Sequence, residues 1–247
     1  MSAFLSYLIH GIAIGCGFAL VASGLIIIHR VTRVVNLAQG MFAVLAGFTA
    51  ASLLDFGLPH GLAELCAVLV AGAAGLCTGI VAIGKQGTPP EASLIATLGV
   101  GIFVYAVEVL IWGDQPRSFS GLTGAFELSD LTLPRQYALI MGVTVAVFTL
   151  LEVFFERTYL GKALTACASN PRAATLVGIG VTKMGLLGFV LGGLLGGVAG
   201  VLTTPLRPMS YDSDMLLFVN GFAAAILSGI RPSRSHVANP PIEMPVT

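Results

Sequence analysis

The sequence predicts an all-α bundle of membrane-spanning helices, and three observations predict it. Hydrophobic residues make up 56% of the 247-residue chain and charged residues only 10%, whereas a soluble domain carries about 25% charged residues. The mean hydropathy is +0.94. The apolar residues fall into separate runs of about 20, the length at which a helix crosses the hydrocarbon core, and lack the short alternating pattern of a membrane barrel.

In chain order, runs long enough to span occupy residues 4–28, 34–54, 62–83, 92–112, 137–155 and 185–204. A seventh run, residues 215–230, is at the lower limit and contains Asn220, so it reads as a tilted or re-entrant segment. The architecture expected is about six full spans plus a short seventh. The first run has no basic leader and is about twice as long as the apolar region of a signal peptide, which marks it as an uncleaved span.

Basic residues set the orientation. Arg30, Arg33, Lys85, Arg157, Lys162, Arg172 and Lys183 follow the first, third and fifth runs, against Arg117, Arg135 and Arg207 after the second, fourth and sixth. The positive-inside rule then places the odd loops in the cytoplasm and the N-terminus outside. Of the two long loops, the outer one at 113–134 is rich in Gly, Ser and Pro and predicts turns or a short hairpin. The inner one, 156–184, is the longest cytoplasmic segment. Residues 1–230 thus form one transmembrane domain, and 231–247, with three prolines in its last eight residues, is expected to be a disordered tail.

Several function classes are excluded by what is missing. Lys+Arg and Asp+Glu number 12 each, so there is no basic patch to bind nucleic acid. Cys16, Cys66, Cys77 and Cys167 show no CxxC spacing, and the four histidines are scattered. No metal site is therefore expected. With no P-loop and no nucleophile elbow, the chain is expected neither to hydrolyse ATP nor to be an enzyme.

Polar and small residues within the runs are the candidates for function. Asn36 and Gln39, beside Gly40 in the second run, are costly in lipid and must face protein or water. Helix–helix hydrogen bonding and contact with a transported solute both fit them. Glu108 is the acid deepest within a run and has no basic residue in its own span. Gly188, Gly192, Gly196 and Gly200 recur every fourth residue, a stripe that lets another helix approach closely. That helix belongs either to this chain or to another subunit. In the inner loop, Asn170 followed by Pro171 is an N-cap with proline at the first helical position, and Gly178 is a C-terminal stop. A short helix over 171–177 is expected, serving as an amphipathic connector or as a docking element for a partner.

That loop, Tyr159-Leu-Gly-Lys-Ala-Leu-Thr-Ala-Cys-Ala-Ser-Asn-Pro-Arg-Ala-Ala-Thr-Leu-Val-Gly-Ile179, resembles the coupling segment of branched-chain amino acid ABC-transporter permeases. Val34-Val-Asn-Leu-Ala-Gln-Gly40 and Gly221-Phe-Ala-Ala-Ala-Ile-Leu-Ser-Gly-Ile230 match the same family, and the shortness of the chain is similar to its H-type subunit. The resemblance implies a multi-pass inner-membrane subunit that works with a second permease, two cytoplasmic ATPases and an external substrate-binding protein. It implies no cofactor of its own, since ATP is used by the partner ATPases. It also implies that Gly161, Lys162, Ala163, Asn170, Pro171 and Gly178 face the ATPase, and that Asn36, Gln39 and Gly40 lie on a pathway-side helix. Leucine, isoleucine and valine are the expected substrates; other amino acids, urea and short amides stay open. A self-sufficient secondary transporter or channel is the rival of another class, although the inverted repeats and paired intramembrane charges it would need are not evident. After Ile230 the resemblance stops, so terminal helices are expected to be missing through truncation or frameshift.

Overall fold

A computed structural model describes residues 2–84, 90–122, 124–128 and 131–228. The expected tail, 231–247, lies outside these residues, as does Lys85. The elements are α1 (Ser2–Thr32), α2 (Gln39–Asp55), α3 (Leu62–Ile83), α4 (Pro90–Trp112), β1 (Ala125–Leu128), β2 (Leu131–Pro134), α5 (Arg135–Arg157), α6 (Tyr159–Ser169), α7 (Pro171–Leu176), α8 (Val181–Thr203) and α9 (Ser213–Leu227). Among them α1, α3, α4, α5 and α8 are long and apolar enough to cross a membrane.

Helix α8 is the hub of the bundle. Its glycines let α1, α2 and α3 approach closely: a Cβ at Gly193 would meet Ala71 of α3, one at Gly192 would meet Ile28 of α1, and one at Gly200 would strike the Ala43 carbonyl of α2. The order of these contacts makes α2 parallel to α8, and α1 and α3 antiparallel to it. Helices α4 and α5 stand at the periphery, where Ile102, Phe103, Leu110, Ile111, Val145 and Leu150 are exposed. Exposed apolar side chains of this kind suit lipid or another membrane chain as solvent.

The second predicted span differs from its expectation. Residues 34–38 are not helical, and α2 begins only at Gln39. Its 17 residues cover roughly 25 Å at 1.5 Å per residue, less than the roughly 30 Å hydrocarbon core. A non-helical backbone at this depth is tolerated only when protein buries it, and Val34, Asn36 and Ala38 are all buried. Helix α9, with 15 residues, is also short. At the opposite end to α6 and α7, the 113–134 loop contains the expected hairpin, with β1 antiparallel to β2 and Ala125 opposite Pro134. Arg117 and Met209 exchange backbone hydrogen bonds of 2.8 Å, and Gln136 ties the hairpin loop to α8 by accepting from Leu122 N and donating to Leu202 O.

Candidate functional site

The residues singled out in the second run gather where the chain leaves α1 and re-enters the bundle. The Asn36 Oδ1 accepts from the Ala38 N–H at 3.2 Å, while its Nδ2 donates to Gln39 Oε1 at 3.3 Å. Gln39 in turn donates from Nε2 to the Gly192 carbonyl at 2.9 Å. The Leu37 N–H is taken up by Thr97 Oγ1 of α4 at 3.2 Å. Asn36 and Gln39 are both fully buried, and each polar side-chain group has a protein partner. The segment is therefore pinned to the middle of α8 and to α4 by a small buried network, which makes its backbone position well specified.

Gly40 follows immediately. A Cβ there would overlap the Asp214 carbonyl, so only glycine lets the start of α9 abut the start of α2. Residues 204–212 fold back from the end of α8 to bring Asp214 to this depth. The N-termini of two short helices thus meet inside the bundle, a juxtaposition that concentrates positive helix-dipole ends near its middle.

The 156–184 segment forms two helices where one was expected. Thr158 caps α6, its Oγ1 accepting from the Gly161 N–H at 3.0 Å. A Cβ at Gly161 would run into the Phe154 and Phe155 backbone, so glycine allows the tight corner between α5 and α6. Gly161, Leu164 and Cys167 point inward, where Leu164 and Cys167 join Val31 and Ala174 in one apolar cluster. Burial pushes the Cys167 thiol above its usual pKa. Lys162 is exposed and Ala163 half-buried. Asn170 Oδ1 accepts from the Ala173 N–H at 3.1 Å with Pro171 at the first turn of α7, and Gly178, at φ 85°, ends it. This capped pair of helices presents Tyr159 (94% exposed), Leu176 (88%) and Val177 (76%) outward.

A side-chain hydrogen bond also runs from this loop toward the buried network. Arg33 adopts φ 61°, a left-handed conformation that costs a non-glycine residue roughly 1–2 kcal/mol, and its Nη2 donates to the Ala168 carbonyl of α6 at 2.8 Å. The guanidinium thereby caps the C-terminal end of α6, where carbonyls lack intrahelical partners. Arg33 lies three residues before Asn36, so this hydrogen bond ties α6 to the stretch that leads into the buried network. Sequence reasoning counted Arg33 only as an orientation charge.

The glycine stripe of α8 lies within the chain's own packing. A Cβ at Gly192 would be 2.5 Å from Ile28 Cδ1 and one at Gly196 2.9 Å from Phe42 Cβ, whereas at Gly188 nothing comes closer than 4.0 Å. Among the described residues, no cluster of His, Cys, Asp and Glu could hold a metal ion.

Comparison with known proteins gives this arrangement its context. Residues 7–241 match the family described as branched-chain amino acid transport system / permease component. The chain belongs to this permease family. It is 26% identical over 244 residues to the high-affinity branched-chain amino acid transport system permease protein LivH of Escherichia coli K12, covering 92% of this chain and 79% of that protein. It is 30% identical over 221 residues to the probable branched-chain amino acid transport permease protein LivH of Methanocaldococcus jannaschii, covering 86% and 70%. The ribose import permease protein RbsC of Haemophilus influenzae is 25% identical over 232 residues, covering 88% and 66%. No solved structure matches significantly. As a member of this transport-permease family the chain is a membrane protein, and its family is not one of enzymes.

Proposed function

We propose that this permease is one transmembrane subunit of an ATP-driven importer that carries branched-chain amino acids across the inner membrane. It pairs with a second permease, and two cytoplasmic ATPases dock on α6 and α7 while an external binding protein delivers the substrate at the hairpin end. The N-terminus lies outside. One observation carries the reading: a rigidly capped helix pair with an exposed apolar knob is hydrogen-bonded through Arg33 to the buried segment that holds Asn36 and Gln39. Force applied by a partner at Tyr159, Leu176 and Val177 would therefore reach the middle of the bundle without passing through a flexible connector.

Coupling of this kind needs a differential contact in two states, and nucleotide-driven closure of the ATPases supplies it. The chain lacks a P-loop, so ATP chemistry belongs to those partners. The relatives named for branched-chain amino acids support the substrate class. The test is reconstitution of the complete complex in proteoliposomes with its binding protein. Leucine, isoleucine and valine should accumulate only with ATP, and ribose should not. Accumulation without the ATPases would favour a self-sufficient transporter and overturn the reading.

A further inference from the structure

Where the last turns of α1 and α5 meet the inward side of α6, away from the outward knob of Tyr159, Leu176 and Val177, the bundle holds a cavity of 280 Å³. Its walls include Ile26, Ile27 and Arg30 of α1, Phe155 of α5, and Leu164 and Ala168 of α6. Ile26, Ile27 and Arg30 share one face of α1, as Leu164 and Ala168 share one of α6. The lining is apolar apart from Arg30 and Thr165, and the Thr165 hydroxyl already donates to the Gly161 carbonyl at 3.0 Å. Arg30 is exposed and makes no hydrogen bond or ion pair among the described residues. Neither acid near the end of α5, Glu152 or Glu156, lines the cavity. An uncompensated guanidinium therefore stands at the rim of an apolar space.

Depth in the membrane says what has the matching chemistry. Arg30 is in the last turn of α1, and the loop charges that orient the chain put this end of the bundle at the cytoplasmic interface. A long cationic side chain there reaches toward headgroups while its stem covers apolar surface, and basic pockets between membrane helices on this side take anionic headgroups. A guanidinium holds a phosphate through paired, charge-assisted hydrogen bonds. We propose that this cavity is a site for one anionic phospholipid, its phosphate on Arg30 and the upper part of an acyl chain among Ile26, Ile27, Phe155 and Leu164. Ala168 lines the cavity and its carbonyl accepts from Arg33, so a lipid there reinforces the contact of α6 with α1 beside that hydrogen bond. The orientation sets only the leaflet from which the lipid comes, and the solute carried has no bearing on the site.

The test places the complete complex in nanodiscs of phosphatidylcholine that carry a trace of phosphatidylglycerol, or of phosphatidylcholine, with a photoactivatable group in the acyl chain. Both leaflets then have one composition, so an inverted orientation does not hide the site. After illumination the labelled residues are mapped by mass spectrometry. Phosphatidylglycerol should label the peptides that hold Ile27 and Leu164 about fivefold more than phosphatidylcholine, the factor that one basic residue near an anionic headgroup supplies. Arg30→Gln should remove this preference and Arg30→Lys should keep it. Ala168→Leu, which fills the cavity and leaves the charge in place, should lower labelling by both lipids. Equal labelling by the two lipids in the wild-type complex overturns the proposal and is decisive even when a variant fails to assemble. A preference that survives Arg30→Gln, or labelling unchanged by Ala168→Leu, overturns it as well. A cavity that neither lipid labels belongs to the second permease or to an ATPase, and that also overturns it. None of these outcomes bears on ATP-driven uptake, which tests the importer reading separately.

Discussion

Gly188 and Gly200 share one stripe on α8, yet alanine at the two positions should change stability in opposite directions. At Gly200 the new methyl would overlap the Ala43 carbonyl oxygen and stand 2.6 Å from the Ala43 carbonyl carbon and 2.7 Å from its Cα. These are backbone atoms of a buried helix, so α2 and α8 must separate. Overpacking of this kind costs roughly 1–3 kcal/mol. At Gly188 the nearest atoms are 4.0 Å away, an ordinary contact, and replacing a mid-helix glycine by alanine gains roughly 0.8–1 kcal/mol in helix propensity. Gly200→Ala shares that helical gain, so it cancels and the two variants should differ by roughly 1–3 kcal/mol, Gly200→Ala being the less stable. Thermal unfolding of each purified protein in the same detergent, followed by size-exclusion recovery after heating, reads the order directly. Gly200→Ala at or above wild-type stability would refute the close approach of α2 to α8, and Gly188→Ala below it would refute the open space at that turn.

Other expectations follow from named contacts. Arg33→Gly removes the bond to Ala168 but suits φ 61°, so the protein should be as stable as wild type or more so by about 1 kcal/mol. Its ATP hydrolysis in the complex should nevertheless lose its response to the loaded binding protein; a retained response would remove Arg33 from the coupling path. Asn170→Ala should cost about 1 kcal/mol at the start of α7, visible as faster amide exchange at Ala173 with α6 unaffected. Cys167, buried with its thiolate disfavoured, should resist maleimide at pH 7 until the protein is unfolded, and rapid labelling would show that α6 detaches from the bundle. A reporter active only in the cytoplasm should work when fused after Lys183 and stay silent after Gly124, the reverse pattern overturning the orientation.

How much of this was legible in the sequence depends on the kind of force involved. The long spans α3, α4, α5 and α8 follow the apolar runs closely because hydrophobic length is a local property. The Asn170 cap, Pro171 and the Gly178 stop were legible for the same reason, each acting within a few residues. The late start of α2 was not. Val34 and Val35 are as apolar in an extended segment as in a helix, and the turn is set by Asn36 bonding to Ala38 and by Thr97 from another helix. Helix α6 was overlooked although Thr158 is a capping residue, because its inward face of Gly161, Leu164 and Cys167 is too short and too weakly apolar to stand out. In the sequence nothing marks Asp214, an acid just before the short seventh run. Only the return of residues 204–212 into the bundle brings it against Gly40, and that is a tertiary fact with no local signature.

The shortness and burial of α2 also bear on how the protein is made. A full-length apolar helix can leave the insertion machinery and wait in lipid, but α2 covers only part of the bilayer, begins at Gln39 and is preceded by a non-helical segment with Asn36. Its hydrogen-bond acceptor, Gly192, and the glycines against which it packs are in α8, which is complete only about 150 residues after α2 ends. At synthesis rates of about 5–20 residues per second this interval is roughly 7–30 s. During it α2 has no native neighbour from α8 or α9 and must be sheltered by α1, α3 or the translocon. Folding of this chain is thus gated by its own translation, and synthesis slowed between α3 and α8 should lengthen the period in which α2 is open to proteolysis.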